Sequence, residues 1–172
     1  MNGGNPLNAI RGAQNRNAGR IFEQMIEAAC RNYRQVGLAE IDKTPEPMQP
    51  VKSLGQGRFV AHYEKKAQPD FKGTLRDGRS VVFEAKLTTA DRIKQEVILP
   101  QQAEALDRHH RLGAECFILV SFDFREYFKV PWTAWRDMKT HYGHKYLKPE
   151  EIQEYKITMR NGLLRFLERV SA

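Results

Sequence analysis

Residues 114–122 read AECFILVSF, an unbroken apolar run closed off by Gly113 and Asp123. Continuous rather than alternating hydrophobicity over so short a length marks a strand covered on both faces. REYFKV, 125–130, follows after a tight connection and reads as its antiparallel neighbour. Helical spacing appears from Asn17 onward, with Ile21, Phe22, Met25, Ile26, Ala29, Tyr33 and Val36 along one stripe and Gly37 as the stop. LAEID, 38–42, is a short strand, and 70–87 is a hairpin. A second helix has Pro100 in its first turn, carries Ala103, Leu106 and His110 on one side, and ends at Gly113. Pro131 opens a short helix with Trp132 and Trp135, and LLRFLERV, 163–170, reads as a final helix. This order gives an α/β chain, a mixed central sheet flanked by helices.

Between the first strand and the hairpin lies KTPEPMQPVKSLGQGRFVAHYEKKAQ, residues 43–68. Pro45, Pro47 and Pro50 forbid a regular central strand or helix at its start. A structureless loop of this length is uncommon inside a compact domain and is usually functional. The segment is therefore expected to project as a two-stranded stalk, with Arg58–Tyr63 as its returning side. The expected organisation is a flexible basic arm over 1–16 and a single domain over 17–172, with the stalk inserted at 43–68.

Charge bears on the partner. The formal net charge is +7 and the pI about 9.5, which suggests a polyanion, nucleic acid before a membrane surface. Arg11, Arg16 and Arg20 face no acid within the first twenty residues, and Lys43, Lys52, Arg58, Lys65 and Lys66 outnumber Glu46 and Glu64 in the stalk. No apolar stretch approaches the length of a membrane span, and the N-terminus lacks the apolar region of a signal peptide, so the expected location is the cytoplasm. Cys30 and Cys116 offer neither a disulfide framework nor zinc-ligand spacing and read as reduced, partly buried thiols.

The hairpin PDFKGTLRDGRSVVFEAK, 69–86, carries the chemistry. Side chains alternate along a strand, so Val82, Glu84 and Lys86 share one face and Val81, Phe83 and Ala85 the other. A two-residue Asp77-Gly78 loop would set Asp70 across from Ala85. A three-residue loop, Arg76-Asp77-Gly78 with Gly78 left-handed, sets Asp70 across from Glu84 instead. In that register the two carboxylates have Cβ atoms about 5 Å apart and suit one hard cation, Mg²⁺ or Mn²⁺. A lysine beside them can orient a water or stabilise developing charge on a phosphate. The set points to phosphodiester hydrolysis.

Pro69-Asp70, thirteen intervening residues, then Glu84-Ala85-Lys86 resembles the PD-(D/E)xK nucleases. The wider pattern resembles the RecU family of Holliday-junction resolvases, which also occurs in phages of Gram-positive bacteria. It comprises Gly19-Arg20-x-Phe22-Glu23, Lys43-Thr44-Pro45-x-Pro47, Asp70-Phe71-x-Gly73, Phe83-Glu84-Ala85-Lys86-x-Thr88 and Gln102 with Leu106. The resemblance implies a restriction-endonuclease-like fold, a homodimer, a stalk reaching into the centre of a four-way junction, and metal-dependent nicking of two opposed strands. It implies Asp70, Glu84 and the Ala85 carbonyl as metal ligands, Lys86 as the catalytic lysine, Glu23 as a further acid of the metal shell, and Gln102 as a residue that positions the site. Arg20, Lys43, Lys52, Arg58, Lys65, Lys66 and Thr88 are the candidates for DNA contact. Two other readings fit the same residues: a nuclease of this superfamily acting on other branched or duplex DNA, and a junction-binding protein without significant cleavage.

Overall fold

In the computed structural model, which describes residues 6–45, 48–63 and 68–168, helix α1, Pro6–Gln35, opens the chain. Phe22, Ile26, Ala29 and Tyr33 form its buried stripe, whereas Ile21 lies on the exposed side and Val36, just past the helix end, is exposed in the turn that follows. The helix begins well before Asn17, so residues 6–16, assigned from sequence to a flexible arm, continue it. They lack an apolar stripe, but Ala9, Arg11, Ala13, Gln14 and Arg16 are strong helix formers behind a proline suited to a first turn.

Strand β1, Ala39–Lys43, leads into β2, Met48–Gly55, and β3, Arg58–Tyr63. The last two pair only with each other, as the expected two-stranded stalk. Then come β4, Phe71–Leu75, and β5, Ser80–Thr88, followed by the two-residue β6, Ile93–Lys94. Helix α2, Pro100–Arg111, precedes β7, Glu115–Phe122, and β8, Glu126–Pro131. Short helices α3, Trp132–Arg136, and α4, Met138–Tyr142, follow. The chain finishes with β9, Tyr146–Leu147, β10, Lys156–Ile157, β11, Met159–Arg160, and β12, Leu163–Leu164.

Six strands form the central sheet in the order β1-β4-β5-β7-β8-β10. Only β5 and β7 run parallel, so the sheet is mixed. After Glu115, every residue of β7 is buried, which is why the sequence there does not alternate. One face packs Val81, Phe83, Phe117 and Leu119 against the α1 stripe, with Phe71, Phe83 and Phe117 stacked in a row across three strands. The opposite face packs Val82, Ile118, Val120 and Phe128 against Leu106 of α2 and Trp132 and Trp135 of α3. Cys30 and Cys116 are free and buried, and burial pushes both thiols up to about 12.

The sequence stripe LLRFLERV does not form a helix over its described part, 163–168. Asn161 (φ 53°) and Gly162 (φ 74°) both take left-handed backbone and turn β11 onto β12. Leu164 and Phe166, two residues apart, are both buried in the α1-side core, a strand-like rather than helical spacing.

Gly73 in β4 pairs with Ile41 of β1. A Cβ built there would lie 2.0 Å from the Glu40 carbonyl oxygen and 2.6 Å from Ile41 Cα, so the glycine is required by the close approach of two backbones. Gly73→Ala should cost at least about 3 kcal/mol and lower the thermal midpoint without changing the denaturant slope. An unshifted midpoint in differential scanning calorimetry would show that β1 yields at this contact.

Candidate active site

The β4–β5 hairpin turns through Arg76-Asp77-Gly78. The Gly78 N–H donates to the Leu75 carbonyl (2.9 Å) and the Leu75 N–H to the Arg79 carbonyl (2.8 Å). Gly78 has φ 85°, the left-handed conformation of the three-residue loop. The register Phe71↔Phe83 and Lys72↔Val82 follows, and its continuation sets Asp70 across from Glu84. Asp70 is tied down twice. Its Oδ2 accepts the Ala85 N–H at 3.0 Å, and its carbonyl accepts the Thr44 N–H at 2.8 Å.

Glu84 is fully buried, one of two fully buried polar or charged side chains among the described residues, the other being Ser121. Its Oε2 accepts from Lys86 Nζ at 2.9 Å and from Gln102 Nε2 at 2.7 Å. Its Oε1 is buried with no hydrogen-bond partner. The Lys86 ammonium also stands 3.9 Å from Asp70 Oδ2 and so lies between the two carboxylates. Burial, then the charge of Asp70, pushes the Glu84 carboxyl up to about 8 against the pull of Lys86. A buried carboxylate with an idle oxygen, opposite a second carboxylate, is a donor set that a hard divalent cation satisfies.

Gln102 reaches Glu84 because of where α2 starts. Pro100 sits at the helix entrance, and the Leu99 N–H donates to Gln102 Oε1 at 3.0 Å, which leaves Nε2 free to donate to Glu84. Glu23 lies on α1, which packs on the Phe83 face while Glu84 faces α2, and its Oε2 is 2.7 Å from Lys43 Nζ. That contact, more than any other, raises the Lys43 ammonium; Asp70 contributes from further off. Among the described residues there is no group of three or more acid, histidine or cysteine side chains placed to share a metal.

Of the candidate DNA contacts, Lys52 and Arg58 are exposed on the stalk, Arg20 is exposed and donates to Asn17 Oδ1 (3.0 Å), and Lys43 pairs with Glu23. Thr88 ends β5, where its hydroxyl accepts the Ala90 N–H at 3.1 Å. Lys65 and Lys66 lie outside the described residues. Sequence reasoning overlooked Thr44. It fastens Asp70 through its backbone and keeps a buried hydroxyl without a partner, and the Thr-Pro step before the stalk was its only signal.

Residues 17–172 match the family model RecU, Recombination protein U. The chain belongs to the RecU family. Curated RecU relatives include the Holliday junction resolvase RecU of Streptococcus pneumoniae strains JJA and CGSP14. Each is 28% identical over 154 residues, spanning 85% of this chain and 77% of the relative. Among solved structures, Archaeoglobus fulgidus Hjc, a Holliday junction resolvase from an archaeal hyperthermophile, overlays with a TM-score of 0.42 and 13% identity, covering 67% of this chain and 74% of that one. The RecU match takes in α1 from Asn17 onward, the stalk and the hairpin that carries Asp70, Glu84 and Lys86.

Proposed function

We propose that this RecU-family chain is an endonuclease that resolves four-way DNA junctions, hydrolysing phosphodiester bonds in two opposed strands with Mg²⁺ or Mn²⁺. The observation that carries this is Glu84: fully buried, one oxygen without a partner, opposite Asp70 and bridged to it by Lys86. Asp70 and Glu84 would hold the ion, with the Ala85 carbonyl as a further oxygen ligand. Glu23, which pairs with Lys43, would complete the shell directly or through water. When bound, the ion supplies Lewis-acid polarisation of the scissile phosphate and acidifies a water.

The chain's own residues do the rest. The Ala85 and Thr44 amides fix Asp70, and the Gln102 amide fixes Glu84, so both carboxylates are in place before substrate arrives. Lys86, once its carboxylate neighbours are engaged, presents N–H donors to the attacking water or to the phosphate oxygen that gains charge. Cutting two opposed strands requires two such centres, which a homodimer provides. The protein is proposed to act in the cytoplasm; among the described residues no helix is long and apolar enough to cross a membrane.

The stalk supplies the preference for a junction. Val51, Leu54, Phe59 and Val60 are exposed on a ribbon that also carries Lys52 and Arg58. Solvated ribbons do not usually display that much apolar surface, and unstacked bases with their phosphates at a junction centre complement it.

The test is cleavage of a synthetic four-way junction beside a linear duplex of equal length, with and without Mg²⁺. Paired, symmetric, Mg²⁺-dependent nicks in the junction are expected. Equal cutting of the duplex would indicate another substrate, and tight binding without cuts would indicate a binding protein. Replacing residues 46–67 by a short glycine linker should erase the preference for junction over duplex, a loss of about tenfold or more in relative affinity, and leave slow generic nicking. Unchanged preference would remove the stalk from recognition.

A further inference from the structure

The face of the sheet that carries Asp70 and Glu84 continues beyond the pair. Side chains alternate along β4, so Lys72 points to the same side as Asp70, about 7 Å further on. It stands across from Val82, which belongs to the core beneath α2. From α2, two turns beyond Gln102, His109 comes within range of the Lys72 charge. Lys72 and His109 are both half-buried, held by their surroundings yet open to solvent. Lys72 is the unspecified position of the Asp70-Phe71-x-Gly73 pattern and His109 lies outside it, so the family resemblance assigns neither.

Their surroundings are of one sign. Burial first, then Lys72, then Arg108, hold the His109 imidazole below its ordinary range, and no acid or hydrogen bond opposes them. The Lys72 ammonium has one partner among the described residues, the neutral Gln68 Oε1 at 2.8 Å. Nearby acids are engaged elsewhere. Asp42, across from Lys72 on β1, accepts from Arg34 at 2.8 Å, and Asp107 accepts from Trp132 and Arg136. Glu104 stands 4.0 Å from Arg108, with both side chains mostly exposed.

Cations on the last turn of a helix complement its dipole, which accounts for Arg108 and Arg111. It does not account for a lysine brought up to them from the sheet. Like charges without an offsetting acid repel at a cost that a bound anion removes. Each DNA strand carries a charge about every 3.4 Å of helix axis. A strand with one phosphate at Asp70 and Glu84 therefore presents the next within reach of Lys72.

We infer that Lys72 and His109 together bind the phosphate that neighbours the scissile one on the strand being cut, Lys72 as a cation and His109 as a ring N–H donor. The inference rests on the DNA-cleaving reading and extends its site by one nucleotide.

The test measures binding of the full chain, in EDTA, to synthetic four-way junctions that each carry one uncharged methylphosphonate near the crossover. The nicked position is mapped separately in Mg²⁺. One replacement, beside the nicked phosphate, should weaken binding by the native chain about tenfold. Lys72→Ala should weaken binding of the unmodified junction by about the same factor and flatten the salt slope by about one unit. In that variant the same replacement should cost nothing further, because lysine and phosphate act as one pair. His109→Ala should mask a smaller part of the effect, and Lys72→Arg should restore binding. An unchanged salt slope overturns the inference. So does a Lys72→Ala chain in which no single phosphate is masked, the result of a merely structural role, or one whose masked phosphate lies more than two steps from the nick. Binding and nicking separate the two claims. A masked phosphate without nicks in Mg²⁺ or Mn²⁺ keeps the contact and removes the nuclease, and nicks without a masked phosphate do the reverse.

Discussion

Asp70→Asn should reduce Mg²⁺-dependent nicking of a four-way junction by at least about a thousandfold, because the site loses charge stabilisation worth several kcal/mol. The fold should survive. Asp70 serves the hairpin by accepting the Ala85 N–H through Oδ2 and the Thr44 N–H through its backbone carbonyl, and an asparagine can accept both. What disappears is one of two negative charges around the Lys86 ammonium and the proposed ion. Far-ultraviolet circular dichroism, the thermal midpoint and junction binding in EDTA should therefore match the native chain while cleavage is lost. Cleavage within about tenfold of native would remove Asp70 from the chemistry, a smaller loss than removal of one preorganised charge stabiliser produces.

The parts legible in the sequence were those where local chemistry leaves one solution. The run at 114–122 announced a strand with both faces covered, and β7 is buried on both. Gly78 chose the hairpin register, because a left-handed third loop residue is cheap only for glycine. That choice set Asp70 across from Glu84. The prolines of 45–50 forced the chain out of the sheet, and the stalk returns at Arg58–Tyr63 as its composition suggested.

The parts that escaped were set by tertiary context. A helical stripe over 163–170 was outweighed by the Asn161-Gly162 turn and by a core that takes Leu164 and Phe166 in strand spacing. Residues 6–16 carry no stripe at all, so periodicity could not see a helix that propensity sustains. Spacing on α1 says nothing about which face of the sheet the helix covers; α1 covers the Phe83 side while Glu84 turns toward α2. The family resemblance named Gln102, but the bond from the Leu99 amide that aims its side chain follows from no pattern within the helix.

Glu84→Gln should leave the metal-free chain more stable than the native one at pH 8, with the difference closing toward pH 4.5. Burial, then Asp70, raises the Glu84 carboxyl from 4.5 to about 8 in the folded state. The folded chain thus holds this proton more tightly than the unfolded chain does. Stability from this group is complete below about pH 4.5 and is lost as the pH climbs through the window to about 8. A shift of this size is worth about 5 kcal/mol once the carboxyl is ionised in both states, or about 15 °C in the midpoint of a chain this long. Glutamine has no proton to lose, so that penalty goes with it. Its carbonyl can still accept from Gln102, and Lys86 keeps Asp70 at 3.9 Å. The gain is reduced by the ion pair that Lys86 gives up at Glu84 Oε2. Mg²⁺ should invert the comparison. At a hundredfold excess over its dissociation constant it adds about 2.7 kcal/mol to a chain that binds it only when folded, and the variant, short of one ligand charge, should gain little. Scanning calorimetry of both chains in EDTA and in Mg²⁺, at pH 5 and pH 8, reads all four corners. A difference independent of pH would mean that Glu84 is ionised at no cost in the metal-free fold. The buried, half-satisfied carboxylate would then not be the strain that a cation relieves.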